Sequence, residues 1–392
     1  MTTAPHTRRH FLLTAAALTT PAFLRAAAAP KLKAAVIGAT GRGDYGHGMD
    51  IVFNDRPNVE LIAVADANPA GLEKMPAKLK APRPYADYHE LLAKERPQLV
   101  SIAPRQSDQH HAMALAAIAV GAHIYMEKPF MPTLAEADEV LGAAEKRGVK
   151  IAVAHQMRMA PSVVHLKQRI TAGLLGELLE IRAWGKQDAR AGGEDMIVLG
   201  THLFDLLRLF AGDARWCSAR VTQAGRDITT ADARVMKDNV GPIAGDEVSA
   251  QFGFANGVTG SFTSRGKLRE QAGPWGLELI GSKGAAKLSA NLPPQVFVLQ
   301  SAGWKADGKA DEWRKLPDDP TLNAPASTQG FPAANARLMD DLLDAIAKNR
   351  APECSGRNAM KAIEMVMAVY HAALTAKRVT LPLTNRQHPL AA

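Results

Sequence analysis

A short apolar run, Lys33 to Ile37, passes directly into Gly38-Ala39-Thr40-Gly41-Arg42-Gly43, and a second apolar run, Val59 to Ala65, ends at Asp66, 23 residues beyond Gly43. A glycine turn that follows a strand lets backbone N–H groups approach a pyrophosphate, and the N-terminus of the next helix favours its charge. Gly38 and Gly43 take the first and third places of G-x-G-x-x-G, while Thr40 stands in the second and is followed by Gly41 and Arg42. An acid at the tip of the second strand, about 20 residues on, is where a ribose 2′-hydroxyl is held. A carboxylate there repels a 2′-phosphate, so Asp66 selects NAD over NADP. By itself a glycine turn is weak evidence, and the alternative reading of Asp66 is a turn residue before Asn68-Pro69. The distance between the two gives the pattern its weight.

Strand and helix patterns then alternate. Tyr88 to Lys94, His110 to Val120 and Leu134 to Lys146 read as helices; Gln98 to Ala103, Ala122 to Met126 and Val149 to Ala154 read as strands. Repeated βα units with largely apolar strands imply an α/β, doubly wound parallel sheet of the Rossmann kind. Ligands of such sheets lie beyond the carboxyl ends of the strands. Two stretches fall at that edge, Pro104 to His110 and Glu127-Lys128-Pro129.

The pattern changes after about residue 155. Glu180 to Gly185, Ala214 to Val221, Glu247 to Phe254, Val258 to Ser264 and Leu277 to Ile280 read as strands. Alternation in Val248-Ser249-Ala250-Gln251-Phe252 marks a half-buried, open and mostly antiparallel sheet. Asn256-Gly257 and Gly281 to Gly284 are hairpin turns. Residues 301 to 330 read as a long loop, and Phe331 to Asn349 and Asn358 to Ala376 as amphipathic helices, with Met365, Met367 and Val369 in the core. A chain of 392 residues is long enough for two cores. The organisation expected is therefore a leader (1–28), a dinucleotide domain (29–154) and an α+β domain (155–392) for substrate and, on the sheet's other face, oligomerisation.

The leader rests on Arg8-Arg9-His10-Phe11, an apolar run to about Leu24, and Ala26 to Ala29. This is the form of a secretory signal, too short for a comfortable membrane span, and its arginine pair resembles a twin-arginine signal, the route by which folded proteins are exported. Cleavage after Ala28 and a periplasmic location are expected, the membrane being only the export route. The formal charge is +8; losing Arg8, Arg9 and Arg25 with the leader leaves +5. No dense basic run carries interleaved aromatics, so no nucleic-acid partner is expected. Cys217 and Cys354 have neither metal-ligand spacing nor a disulfide framework; two buried thiols and no metal are expected.

Several segments together resemble the glucose–fructose oxidoreductase/inositol dehydrogenase (Gfo/Idh/MocA) family. They are Glu127-Lys128-Pro129 after Ile124-Tyr125-Met126, Ile102-Ala103-Pro104 with His110 opening an alanine-rich helix, and Gln156-x-Arg158-x-x-Pro161. Gly173-x-x-Gly176-Glu177, Gly200-Thr201-His202-Leu203-Phe204-Asp205 and Arg386-Gln387-His388-Pro389 complete the set. The resemblance implies hydride transfer between NAD and a hydroxyl of a sugar or cyclic polyol. Gly38, Thr40, Gly41, Arg42, Gly43, Asp66, Pro104, His110, Glu127, Lys128 and Gln156 would line the cofactor. A homo-oligomer is implied as well.

Lys128, beside the nicotinamide, would hold the substrate hydroxyl and move its proton, a role that needs a lowered pKa. His202 is the second acid/base candidate. The family has an acid four residues before this histidine, a spacing that places both side chains on one helix face; here that position is Val198. Asp195 and Asp205 are the acids near enough to stand in if the helix covers them, Asp205 more readily as a brace. Arg158, Lys186, Arg190 and Asp195 offer hydrogen bonds to a polyhydroxylated substrate, although 187–195 could equally be a solvated loop. The missing acid keeps two alternatives open: cleavage of glycosides through transient sugar oxidation by tightly held NAD, and an inactive binding or sensory protein.

Overall fold

The structure is a computed structural model and describes residues 30–266, 274–301, 312–319, 322 and 330–391. The expected leader and most of the loop expected at 301–330 lie outside them. Lys31–Ala392 form one compact unit.

The first layer is a parallel sheet of strands β1 (Leu32–Ile37), β2 (Val59–Ala65), β3 (Arg83–Tyr85), β4 (Leu99–Ile102), β5 (His123–Met126) and β6 (Ile151–Val153), in the order β3-β2-β1-β4-β5-β6. The strand order reverses between β1 and β4, so a crevice opens beyond their carboxyl ends, the place where such folds bind a dinucleotide. Helices α1 (Pro69–Leu79), α2 (Tyr88–Glu95), α3 (His110–Ala119) and α4 (Leu134–Arg147) cover it. Both faces are therefore dry, and the strands are continuous apolar runs: β4 and β6 are buried at every residue. The Asn68-Pro69 pair opens α1, with the Asn68 side chain accepting from the Ala70 N–H and proline at the first helical position, the sequence signature of a helix start.

One expectation fails in this layer. No helix follows the glycine turn; residues 40–55 run in successive turns. Gly41, Gly43, Asp44, Gly46 and Gly48 all have positive φ, a conformation that L-residues in a helix do not adopt. A phosphate here would meet turn N–H groups instead of a helix N-terminus.

Helix α5 (Pro161–Thr171) leads to β7 (Leu178–Trp184), the short helix α6 (Gly193–Val198), α7 (Gly200–Ala211) and β8 (Ala214–Gln223). After the two-residue strands β9 (Arg226–Asp227), β10 (Arg234–Val235) and β11 (Pro242–Ile243) come β12 (Glu247–Phe254), β13 (Thr259–Arg265), β14 (Gly276–Gly281), β15 (Gly284–Ser289), β16 (Gln295–Leu299) and β17 (Arg314–Lys315). Helices α8 (Phe331–Ala347) and α9 (Gly356–Thr375) and strand β18 (Val379–Thr380) complete the described elements. The large sheet runs β17-β16-β15-β14-β7-β13-β12-β8-β18, and β13–β7 is the parallel pair in an otherwise antiparallel path. In β12, Val248, Ala250 and Phe252 point inward while Ser249 and Gln251 face outward and are exposed. Phe204 of α7 inserts between Phe252 and Phe262, with ring centroids 5.6 and 4.9 Å away. This anchors the helix that carries His202. Cys217 and Cys354 are both buried free thiols.

Candidate active site

Lys128 leaves the end of β5 through a cis Lys128–Pro129 peptide. His110 fixes the turn, its Nδ1 3.0 Å from the carbonyl oxygen of Pro129 and its Nε2 2.8 Å from that of Pro104. His110 thus braces the two loops at the sheet edge from within the core, where it is fully buried. The Lys128 amine is buried and donates to the Val198 carbonyl oxygen at 3.0 Å. Burial lowers its pKa; Glu127 and Asp238 oppose this, and the Arg190 and Arg105 charges reinforce it. A lysine in this state can accept a proton much closer to neutral pH than a solvated one.

His47, Arg105, Lys128, Arg190, Val198 and Asp238 line a cavity of about 60 Å³ at this point. That is well below the roughly 300–1,000 Å³ of a ligand pocket. Of the residues expected to contact substrate, Arg190 lines the cavity. Lys186 sits 3.5 Å from Asp188 and 5.7 Å from the centre of the Trp275 ring. Arg158 is spent elsewhere, in a buried two-pronged pair with Asp205 at 2.8 Å from both Nε and Nη2.

His202 is buried, with no hydrogen-bond partner for Nδ1 among the described residues. Burial, then the charges of Lys128 and the neighbouring histidines, hold its pKa well below the usual value, so the ring is neutral. Asp195 does not support it. The chain breaks at Leu199 between α6 and α7, and the Asp195 carboxylate turns away to accept from the Lys186 and Gln187 N–H groups and the Ser264 hydroxyl, the last at 2.6 Å. The group beside His202 is instead His155, edge-on at 5.4 Å, with a pKa lowered to about 4, chiefly by burial.

At the nucleotide edge, Asp66 is buried and heavily bonded: it accepts from Thr40 N and Oγ1, Asn68 N and the Tyr45 hydroxyl. Tyr45 packs against Gly38, where a Cβ would come within 2.1 Å of its ring. Gly43 packs on the backbone after Pro104, a Cβ there falling 2.4 Å from Arg105 N, so only glycine fits. Arg42 pairs with Asp108 across the crevice, and Gly41 N donates to Asp44. Gln156 is buried and donates to Asn335 at 3.0 Å. Buried polar atoms with no partner among the described residues gather at the same edge: Arg105 Nε, Ser107 Oγ and Glu127 Oε2. Donors and acceptors stranded beside a glycine cradle and an acid at the β2 tip fit a dinucleotide, provided Tyr45 moves.

A family model described as "Oxidoreductase family, NAD-binding Rossmann fold" matches residues 32–155, and its companion, "Oxidoreductase family, C-terminal alpha/beta domain", matches 167–381. The chain belongs to the Gfo/Idh/MocA oxidoreductase family. It is 24% identical over 373 residues to the D-apiose dehydrogenase of Paraburkholderia graminis, covering 92% of each chain. It is also 24% identical over 246 residues to the levoglucosan dehydrogenase of Pseudarthrobacter phenanthrenivorans, covering 57% of this chain and 63% of that one. A solved levoglucosan dehydrogenase, in complex with NADH and levoglucosan, superposes with a TM-score of 0.73 at 22% identity, covering 90% of this chain and all of the other. Family membership makes the protein an oxidoreductase with an NAD-binding Rossmann domain.

Sequence reasoning passed over His47, Tyr45, Arg105, Asp238, His155 and Asn335. For His47 a signal existed: it stands between two glycines in Gly43-Asp44-Tyr45-Gly46-His47-Gly48, a stretch too glycine-rich for the helix expected there. Tyr45 lies in the same stretch; Arg105, Asp238, His155 and Asn335 sit far apart in sequence, and only folding brings them together.

Proposed function

We propose that the protein is an NAD-dependent dehydrogenase that takes hydride from a hydroxyl-bearing carbon of a sugar or cyclic polyol. The observation that carries this is Lys128: a buried amine of lowered pKa at the carboxyl edge of an NAD-binding sheet. Glycines 38, 41 and 43, Thr40 and Asp66 would hold the dinucleotide, whose chemistry is hydride acceptance at the nicotinamide ring. Lys128 would bind the substrate hydroxyl and take its proton, and Arg190, in the cavity wall, would orient the remaining hydroxyls. Relatives named for apiose and levoglucosan support this substrate class.

A second reading has one observation in its favour. Val198 takes the place of the family's acid, and Asp195 is turned away from His202. Under that reading NAD stays bound and is restored after a sugar is oxidised, its glycosidic bond eliminated and the product reduced again. Export through the twin-arginine route, with cleavage after Ala28 to release the two-domain 29–392 chain into the periplasm, suits either reading, because a folded protein carries its dinucleotide with it. The outward polar face of the large sheet is the surface proposed for homo-oligomer contacts.

The deciding experiment incubates purified protein and NAD with a panel of sugars, polyols and glycosides while absorbance is followed at 340 nm. Growth with one sugar establishes the dehydrogenase. Release of an aglycone without net growth selects the second reading, and failure to bind any dinucleotide refutes both.

A further inference from the structure

We propose that His47, held by Glu127, carries the substrate's proton onward from Lys128. The inference rests on the dehydrogenase reading above and adds a residue to it.

A proton taken by Lys128 needs somewhere to go. Position 198 holds valine, Asp195 is committed to backbone and Ser264, and His202 is buried beside another buried histidine. A buried imidazole next to a lysine is a poor place for a second positive charge. His47 lines the same cavity as Lys128. Its Nδ1 lies 2.9 Å from Glu127 Oε1. A carboxylate only accepts hydrogen bonds, so Nδ1 presents its hydrogen to Glu127 and Nε2 is the ring nitrogen left to exchange a proton. Glu127 is fully buried while the His47 side chain is 29% exposed, so the pair reaches from the core to water. This carboxylate–imidazole arrangement is what the Val198 helix lacks, supplied here by the glycine-rich loop and the residue next to Lys128.

The loop is built to hold the ring in place. Asn335 of α8 is fully buried; its Nδ2 donates to the His47 carbonyl oxygen at 2.8 Å. Its Oδ1 accepts from the Tyr125 hydroxyl at 2.9 Å and Gln156 Nε2 at 3.0 Å. Phe331 packs on the His47 ring at 4.7 Å. A Cβ on Gly46 would press to 3.1 Å of Glu127 Oε2, so the loop meets the carboxylate closely.

The step balances. As the carbinol carbon gives up hydride to the nicotinamide and becomes a carbonyl, its O–H bond breaks and the proton passes to the Lys128 amine. From there it moves to His47 Nε2 and out to water, leaving the substrate oxidised by two electrons and NAD reduced by two.

The test compares full-length parent, His47→Ala, His47→Gln and Lys128→Ala with the sugar that gives a 340 nm signal. Glutamine can still donate to Glu127 and keep the loop but cannot relay a proton. Both His47 variants should lose about 10²- to 10⁴-fold in kcat, the range of general acid–base catalysis, with KM and NAD affinity within about threefold. Added imidazole should restore His47→Ala and leave Lys128→Ala inactive. A purely structural role predicts an active His47→Gln, or losses confined to KM and NAD affinity, and either result overturns the proposal. Independently of turnover, ¹⁵N NMR of the parent should show His47 protonated at Nδ1 and bare at Nε2, with the pattern lost in Glu127→Gln; the opposite tautomer also overturns it. A parent that binds NAD but gives no sugar-dependent signal removes the dehydrogenase reading itself, a failure visible before any variant is made.

Discussion

Lys128 Nζ donates to the Val198 carbonyl oxygen at 3.0 Å, so the backbone of the residue that replaces the family's acid holds the proposed proton acceptor. A carbonyl dipole orients the amine without the full negative charge that would stabilise its protonated form. Burial is the first cause of the lowered Lys128 pKa, and no carboxylate at position 198 opposes it.

Introducing that acid should reverse it. In Val198→Asp, a carboxylate near Lys128 favours the charged amine and raises its pKa. Activity that needs neutral Lys128 rises with pH through that pKa, so the acid limb of the kcat/KM profile should move to higher pH. An unmoved limb would separate Lys128 from the rate-controlling proton.

In the proposed NAD complex, Tyr45 would compete with the ribose for Asp66. Its hydroxyl donates to Oδ2 at 2.9 Å, and one net hydrogen bond contributes about 0.5–1.5 kcal/mol. Tyr45→Phe should therefore bind NAD about 2- to 10-fold more tightly, as read by quenching of protein fluorescence. Weaker binding would mean that Tyr45 contacts the cofactor.

The Arg158–Asp205 pair is buried on both sides, at 8% and 1% side-chain exposure. Removing one partner strands a charge, so Arg158→Leu should lower the unfolding free energy by about 3–5 kcal/mol in urea titration. Burial alone would raise the Asp205 pKa, but Arg158 and His155 bring it below the usual carboxylate value. Its stabilisation is present above the ordinary carboxylate range and lost as pH falls through the lowered folded pKa.

His155 acts in the same pH direction from the opposite charge. Its folded pKa of about 4 lies below the unfolded value of about 6.5, so the unfolded chain binds the proton first. Stability should fall as pH drops from about 6.5 towards 4, by at most ~1.4 kcal/mol per pH unit from this residue. His155→Asn should flatten that slope in urea titrations run at several pH values.

The alternating strands and helices, the glycine turn with Asp66, and Lys128 at the strand tip were all legible in the sequence. Each depends on local periodicity or on the spacing inside a βα unit, which the chain writes into neighbouring residues. No helix forms after the glycine turn because the glycines that admit a phosphate also forbid regular helix: Gly41, Gly43, Gly46 and Gly48, with Asp44 between them, all have positive φ. What tertiary structure decided was which side chains meet. Asp195 and His202 are seven residues apart, yet the break at Leu199 and the hydroxyl of Ser264, 69 residues on, separate them. His47 and Glu127 are 80 residues apart, and α8, nearly 290 residues from His47 in sequence, holds them together. Sequence spacing sets the candidates for proton transfer, but burial and long-range hydrogen bonds choose among them, because a buried polar atom takes whatever partner the packing brings within reach.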